Sequence, residues 1–152
     1  QKGYIAKDSQ KHTYKNNKCT KCGFKRVVPG TVKISTAKNT AKGKKRTVNV
    51  DGKWVYSNGE YIWKKPYKYT VYDYKISLKF SSKNAVKYIV TNAADKDLDD
   101  GHKNRVVTKK KEFTYTYTSS RKKASKVTLY ITPISKTGTY GKTVKKTITL
   151  KN

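Results

Sequence analysis

Acidic residues are scarce. The 152-residue chain holds 9 Asp and Glu against 37 Lys and Arg, a formal net charge of +28. Arginine is scarce too, occurring at Arg26, Arg46, Arg105 and Arg121, so almost all of the positive charge is lysine. The guanidinium fork suits bidentate reading of bases and phosphates, whereas lysine acts as a point charge. This balance points to diffuse electrostatic attraction and away from sequence-specific recognition of DNA. There are only two histidines, neither in a motif with a nucleophile, and no glycine-rich phosphate loop. Asp8, Asp51, Glu60, Asp73 and Glu112 stand isolated in sequence. No catalytic set is visible, and a non-enzymatic role is expected. No apolar run approaches the length of a membrane span, so any membrane contact is expected to be peripheral. Methionine is absent and the chain starts at Gln1, which reads as a processed or excised segment. The hydrophobic fraction is only 34%, a value that by itself resembles disorder.

What is present argues for a fold. Aromatics make up 12% of the chain, with 13 tyrosines. The longest clean period runs from Tyr72 to Phe80. Tyr72, Tyr74, Ile76, Leu78 and Phe80 fall on one side; Asp73, Lys75, Ser77 and Lys79 fall on the other. Alternation of this kind is a half-buried strand with one apolar face. It predicts the central strand of a mainly-β fold, an antiparallel β-sandwich.

Three segments are expected. Residues 1–30 form a small Cys/His element, 31–66 a hairpin or meander segment, and 67–152 the sandwich. In the first, His12, Cys19, Cys22 and Gly23 give H-x6-C-x2-C-G. A C-x2-C turn lets two thiolates face one ion, and glycine relieves the backbone there. Zinc needs four ligands; His12, Cys19 and Cys22 supply three, with Asp8, His102 or a second chain as the fourth. A Cys19–Cys22 disulfide is the alternative. The stretch from His12 to Gly23, with Tyr14 between, resembles a short H-x-Y…G-x-C-x-x-C-G element of secreted or wall-attached proteins of Gram-positive gut bacteria. Asn17 stands where that element has Gly, and its upstream Cys is missing. The resemblance implies a secreted or cell-surface setting beside immunoglobulin-like or fibronectin-like modules.

After the Val28-Pro29-Gly30 break, residues 31–35 are expected to be a short strand and 36–45 a basic loop or linker, with an ordered basic hairpin tip as the alternative. Asp51-Gly52 and Asn58-Gly59 separate runs rich in Val, Trp and Tyr, the signature of type I′ hairpin turns. A three-stranded meander over about 46–50, 53–57 and 60–64 follows. Trp54, Tyr56, Tyr61 and Trp63 cluster on it. These rings are expected to cover one end of the sandwich; the alternative is a platform for a carbohydrate or protein contact. The stretch is similar to the aromatic hairpins of bacterial wall-binding repeats, though present in one copy.

Beyond Pro66, further strands are expected at 85–91, 105–108, 112–118, 126–133 and 143–150, spaced as in an antiparallel sandwich. The order of the long strand, Lys87-Tyr88-Ile89-Val90, Phe113-Thr114-Tyr115, Leu129 to Ile134 and a Tyr140-Gly141 turn resembles the fibronectin type III family over roughly 67–151. Phe80 stands in for the tryptophan usual in that family's early core strand. The resemblance implies adhesion or display, with no catalytic residues. Asp95, Asp97, Asp99 and Asp100 before Gly101 resemble a calcium loop, but the Gly is late and no Glu closes it, so calcium is disfavoured.

The function expected from the sequence is a non-catalytic extracellular module that captures polyanions: nucleic acid, a wall polymer such as teichoic acid, or a sulfated glycan. Candidate contacts are Lys42, Lys44, Lys45 and Arg46; Lys109, Lys110 and Lys111; Arg121, Lys122 and Lys123; and Lys145 and Lys146. The first three groups are expected to converge on one side. The alternatives are a structural spacer or protein-adhesion domain whose charge is incidental, and a cationic toxin acting on membranes.

Overall fold

The structure is a computed structural model, and it describes residues 13–93 and 104–152. All regular structure among them is strand. In chain order these are β1 (Tyr14–Lys15), β2 (Lys18–Cys19), β3 (Lys33–Asn39), β4 (Lys44–Val50), β5 (Lys53–Ser57), β6 (Glu60–Lys64), β7 (Tyr67–Ser81), β8 (Ala85–Thr91), β9 (Val106–Thr108), β10 (Glu112–Ser119), β11 (Lys126–Ser135) and β12 (Val144–Thr149).

The alternating strand predicted at the centre is β7, and its 15 residues organise one antiparallel sheet. One edge pairs with β10, from Tyr72 to Lys79. The other edge is shared: β4 takes Tyr67–Asp73 and β3 takes Ile76–Ser81. A second antiparallel sheet has the order β12-β11-β8-β9. Tyr74, Ile76, Leu78, Phe80 and Tyr115 from the first sheet meet Tyr88, Val90, Leu129, Ile131 and Ile148 from the second in one core. Phe80 is 2% exposed and packs edge-on against Tyr88 and Phe113. Burial of each such side chain removes enough apolar area to contribute about 1.5–3 kcal/mol. A polar chain folds because its few apolar residues are placed in register.

Two expectations about residues 31–66 are corrected. The expected loop at 36–45 is mostly strand: β3 runs on to Asn39, and β4 begins at Lys44. Asn39 stabilises this corner. Buried to 5%, it donates to Lys75 O at 2.8 Å and accepts from Lys151 N–H at 2.8 Å. The boundary expected at 66/67 therefore runs between paired strands of one sheet. The expected three-stranded meander is also absent. Asp51-Gly52 is not a type I′ turn, since neither residue has positive φ, and β4 pairs with β7 instead of β5. Pro66 has no N–H to continue a ladder, so the β4–β7 ladder stops at Val50 and Tyr67 and a separate β5–β6 ladder begins at Lys53 and Lys64. Asn58-Gly59 does form the expected turn, with φ of 51° and 81°.

The ends of the two-sheet body differ. At the lower end lie the β7–β8 turn, residues 109–111 and the β11–β12 loop. The N-terminal element docks here: Val27 N–H donates to Thr137 Oγ1 at 3.0 Å and Gly30 N–H to Lys83 O at 2.8 Å. At the upper end, residues 40–44 and 120–125 meet the C-terminus. Gly43 N–H donates to Lys151 O, Leu150 N–H to Ser125 O, and Asn152 Nδ2 to Ala124 O. Tyr74 closes this end from inside, its hydroxyl donating to Asn152 Oδ1 at 2.8 Å.

Candidate functional site

The upper end gathers two of the three basic groups expected to converge. Lys44 pairs across from Asp73, which pairs in turn with Thr118; Lys45 and Ser119 both stand opposite Tyr72. Lys42, Lys44, Lys45 and Arg46 thus sit level with the end of β10, from which Arg121, Lys122 and Lys123 follow. All seven are exposed. Lys109, Lys110 and Lys111 do not join them. They precede the opposite end of β10, where Lys111 O accepts from Phe80 N–H. An eight-residue strand separates the two groups by roughly 25 Å. Lys145 and Lys146 are exposed on β12, in the second sheet. The expected single convergence of 42–46, 109–111 and 121–123 is corrected to two clusters at opposite ends.

A depression of about 480 Å³ opens beside the upper cluster. It is lined by cationic Arg121, Lys123 and Lys126 and by the hydroxyl residues Thr118, Ser119, Ser120 and Ser125. Side-chain hydroxyls and cations together are the donors that hold phosphate, sulfate or carboxylate groups. The only acid beside it among the described residues, Asp73, is already engaged. Arg46 Nε and Nη2 donate to its two oxygens at 2.6 and 3.1 Å, and Thr118 Oγ1 donates at 2.7 Å. The Arg46 hydrogen bond holds the Asp73 carboxyl below the usual carboxylate range. Residues 121–126 therefore face no free carboxylate from this strand. Sequence reading supplied the lysines; the hydroxyl lining was not legible, because it depends on where β10 ends and the chain turns.

The aromatic stretch does not cover an end of the body, as expected; it stands out from it. In the β5–β6 ladder Trp54 faces Trp63 and Tyr56 faces Tyr61, so all four rings share one face of a two-stranded arm. The paired rings have centroids 5.4 and 5.0 Å apart. Cross-strand ring pairs of this kind steady a ribbon that would otherwise be marginal. Trp63 also lies over Gly52, where an added Cβ would come within 2.5 Å of the indole. Exposure remains high: 65% for Trp54, 63% for Tyr56, 72% for Tyr61 and 47% for Trp63.

The N-terminal element is a hairpin turned by Asn16 and Asn17, both at positive φ, and followed by the Cys19–Gly23 turn. Gly23, at φ 75°, donates its N–H to Cys19 O, and Cys19 N–H donates to Phe24 O. This closes the turn and holds the two cysteines near each other, Cys19 buried and Cys22 exposed. Among the described residues no group of three metal-ligating side chains occurs. His12, Asp8, His102 and the Asp95–Asp100 cluster lie outside the described residues. A concavity of about 770 Å³ borders the turn, lined by Lys15, Lys18, Lys25 and Arg26 among others. Arg26 stacks over the Tyr14 ring at 4.0 Å. No helix among the described residues is long and apolar enough to cross a membrane.

No family model, curated protein or solved structure matches this chain.

Proposed function

We propose that this chain is a non-catalytic extracellular binding module that captures polyanions at its upper end. The observation that carries the reading is the meeting of residues 42–46 with 121–123 beside a hydroxyl-lined depression whose neighbouring acid is neutralised. Cations held roughly 10 Å apart on either side of β7 repel one another, and an anionic polymer relieves that repulsion while releasing its counterions. The strand order supports a fibronectin type III-like sandwich. In that family the first, second and fifth strands form one sheet, and the third, fourth, sixth and seventh form the other. Here β3, β7 and β10 correspond to the former and β8, β9, β11 and β12 to the latter, with β4–β6 as an insertion after the first strand. The setting, a secreted or surface protein of a Gram-positive bacterium, rests on the Cys element.

The Cys19–Cys22 turn would supply two thiolates to a zinc ion, with His12 as third ligand and a structural role for the metal. A second reading, protein adhesion centred on Trp54 and Trp63, is favoured by the exposure of the arm. Binding of heparin, duplex DNA and teichoic acid across a salt series separates the two. Polyanion capture requires affinity that falls log-linearly with salt. A shallow dependence with a protein partner supports adhesion instead.

A further inference from the structure

The outward face of β7 continues into the arm. Strand alternation places Lys44, Arg46, Val48 and Val50 of β4, with their partners Asp73, Val71, Tyr69 and Tyr67, on one face. Carried through Gly52 and Lys65, the same alternation reaches Trp54 and Trp63, then Tyr56 and Tyr61. The indole of Trp63 lying where a Gly52 side chain would point agrees with this. Six exposed rings therefore lie on one side, the pairs Tyr56/Tyr61 and Trp54/Trp63 followed by Tyr67 and Tyr69, and the track leads into Arg46 and Lys44 at the basic upper end. From the arm's turn to Lys44 the track is roughly 40 Å long.

We infer that this track binds single-stranded nucleic acid, its bases stacking on the rings and its phosphates meeting the flanking lysines. The inference rests on the polyanion reading and deepens it. Rings on one strand recur every second residue, about 6.7 Å; Tyr67 and Tyr69 have centroids 6.1 Å apart. A stacked strand advances about 3.4 Å per nucleotide, so a strand drawn out to about twice that length presents one base at each ring-bearing step: Tyr69, Tyr67, the Trp54/Trp63 pair and the Tyr56/Tyr61 pair, with Lys65 at the step between Tyr67 and Trp63. Lys65, Arg46 and Lys44 fall on the ring face, and Lys53, Lys64 and Lys68 on the opposite face of the same narrow ribbon. Aromatic stacking beside a basic path is the general means of holding single strands without sequence preference. It also fits a chain poor in arginine.

Other occupants fit less well. A duplex hides its base faces from the rings. A second copy of a chain at +28 is repelled. A lipid surface would meet the arm's apex, which is polar: Ser57, Asn58, Gly59 and Glu60.

Trp54 and Trp63 are the only tryptophans in the protein, so intrinsic emission reports the arm alone. The test titrates the full chain with a labelled oligo-dT, a duplex of equal length, inorganic polyphosphate and hyaluronan. Anisotropy and tryptophan emission are followed in low and high salt. Oligo-dT is expected to change the emission saturably and to keep measurable binding at a salt concentration that releases polyphosphate. Y56A/Y61A should weaken oligo-dT about tenfold or more while leaving polyphosphate binding unchanged; Y56F/Y61F should restore it. Near-UV circular dichroism of the Trp54–Trp63 pair verifies that the arm stays formed in each variant. Oligo-dT that binds with unchanged emission and the salt slope of polyphosphate overturns the inference and leaves the polyanion reading standing. Emission that responds to hyaluronan but not to oligo-dT overturns it in favour of a sugar. If none of the four anions binds in low salt, both fall.

Discussion

Gly43 is the position where the upper end has no room to spare. A Cβ built there lies 2.6 Å from Tyr74 Cζ, 2.7 Å from Cε1 and 3.0 Å from the hydroxyl. The Tyr74 ring cannot retreat easily. It is fully buried, lies 6.2 Å from the Tyr117 ring, and is tethered by its bond to Asn152. The loop cannot lift freely either, because Gly43 N–H is bonded to Lys151 O. Gly43→Ala is therefore an overpacking substitution with both sides pinned, costing about 1–3 kcal/mol. For a domain of this size that corresponds to a fall in Tm of roughly 3–10 °C. Gly138→Ala serves as the contrast. Gly138 has φ 75° and nothing within 4 Å, so only backbone strain of about 1 kcal/mol applies. Thermal or urea unfolding of both variants checks the difference. Combining Gly43→Ala with Tyr74→Leu should cost less than the sum of the two, since the shorter side chain vacates the contested space. A Gly43→Ala protein as stable as the parent, or strict additivity in the double variant, would refute the reasoning.

Further outcomes follow from the same structure. Because the Arg46 hydrogen bond depresses the folded Asp73 pKa, the unfolded chain binds that proton first as pH falls. The pair's contribution is present above the ordinary carboxylate pKa and lost below it, and Asp73→Asn should flatten the acid limb of a urea-midpoint against pH plot. Burial raises the Tyr115 and Tyr88 hydroxyls above their ordinary value. Both should stay protonated in the folded protein while the unfolded chain ionises, so stability declines as pH rises above about 10; absorbance of tyrosinate in folded and unfolded protein measures it. Leu129→Ala, at a fully buried core position, should cost about 2–5 kcal/mol in chemical unfolding. Intact mass in native buffer should carry one zinc, lost together with the order of the N-terminal turn on chelation; a mass two hydrogens light would assign a disulfide instead.

The strands were legible where alternation is uninterrupted and both partners are apolar. Tyr72 to Phe80 and Val127 to Ile131 announce themselves because every second side chain is buried, and Ala85 to Thr91 by a run of β-formers whose last four residues are all buried. Pairing was not legible in the same way. Nothing local says that β4 pairs with Tyr67–Asp73 and not with its neighbour β5. Asp51-Gly52 has a hairpin signature, yet the long β7 offers β4 a seven-residue ladder, against five for a meander partner. The rings of Trp54 and Trp63 read as core material from their chemistry. Their exposure follows from the arm being a two-stranded insertion with no second layer above it, a tertiary fact absent from the local sequence. The convergence of Lys42–Arg46 with Arg121–Lys123, and the separation of Lys109–Lys111, depend on which end of β10 each loop leaves. That is set by the register of Glu112 opposite Lys79 and Ser119 opposite Tyr72.

The claim that the upper end captures polyanions meets its most direct test in a salt titration of heparin binding to three proteins: the parent, R121E/K122E/K123E and K109E/K110E/K111E. The account predicts a steep log-linear fall for the parent. The slope should be reduced by about two to three in the 121–123 variant and far less in the 109–111 variant. Equal losses in the two variants would make the charge a uniform skin with no site, and a parent affinity indifferent to salt would contradict polyanion capture altogether.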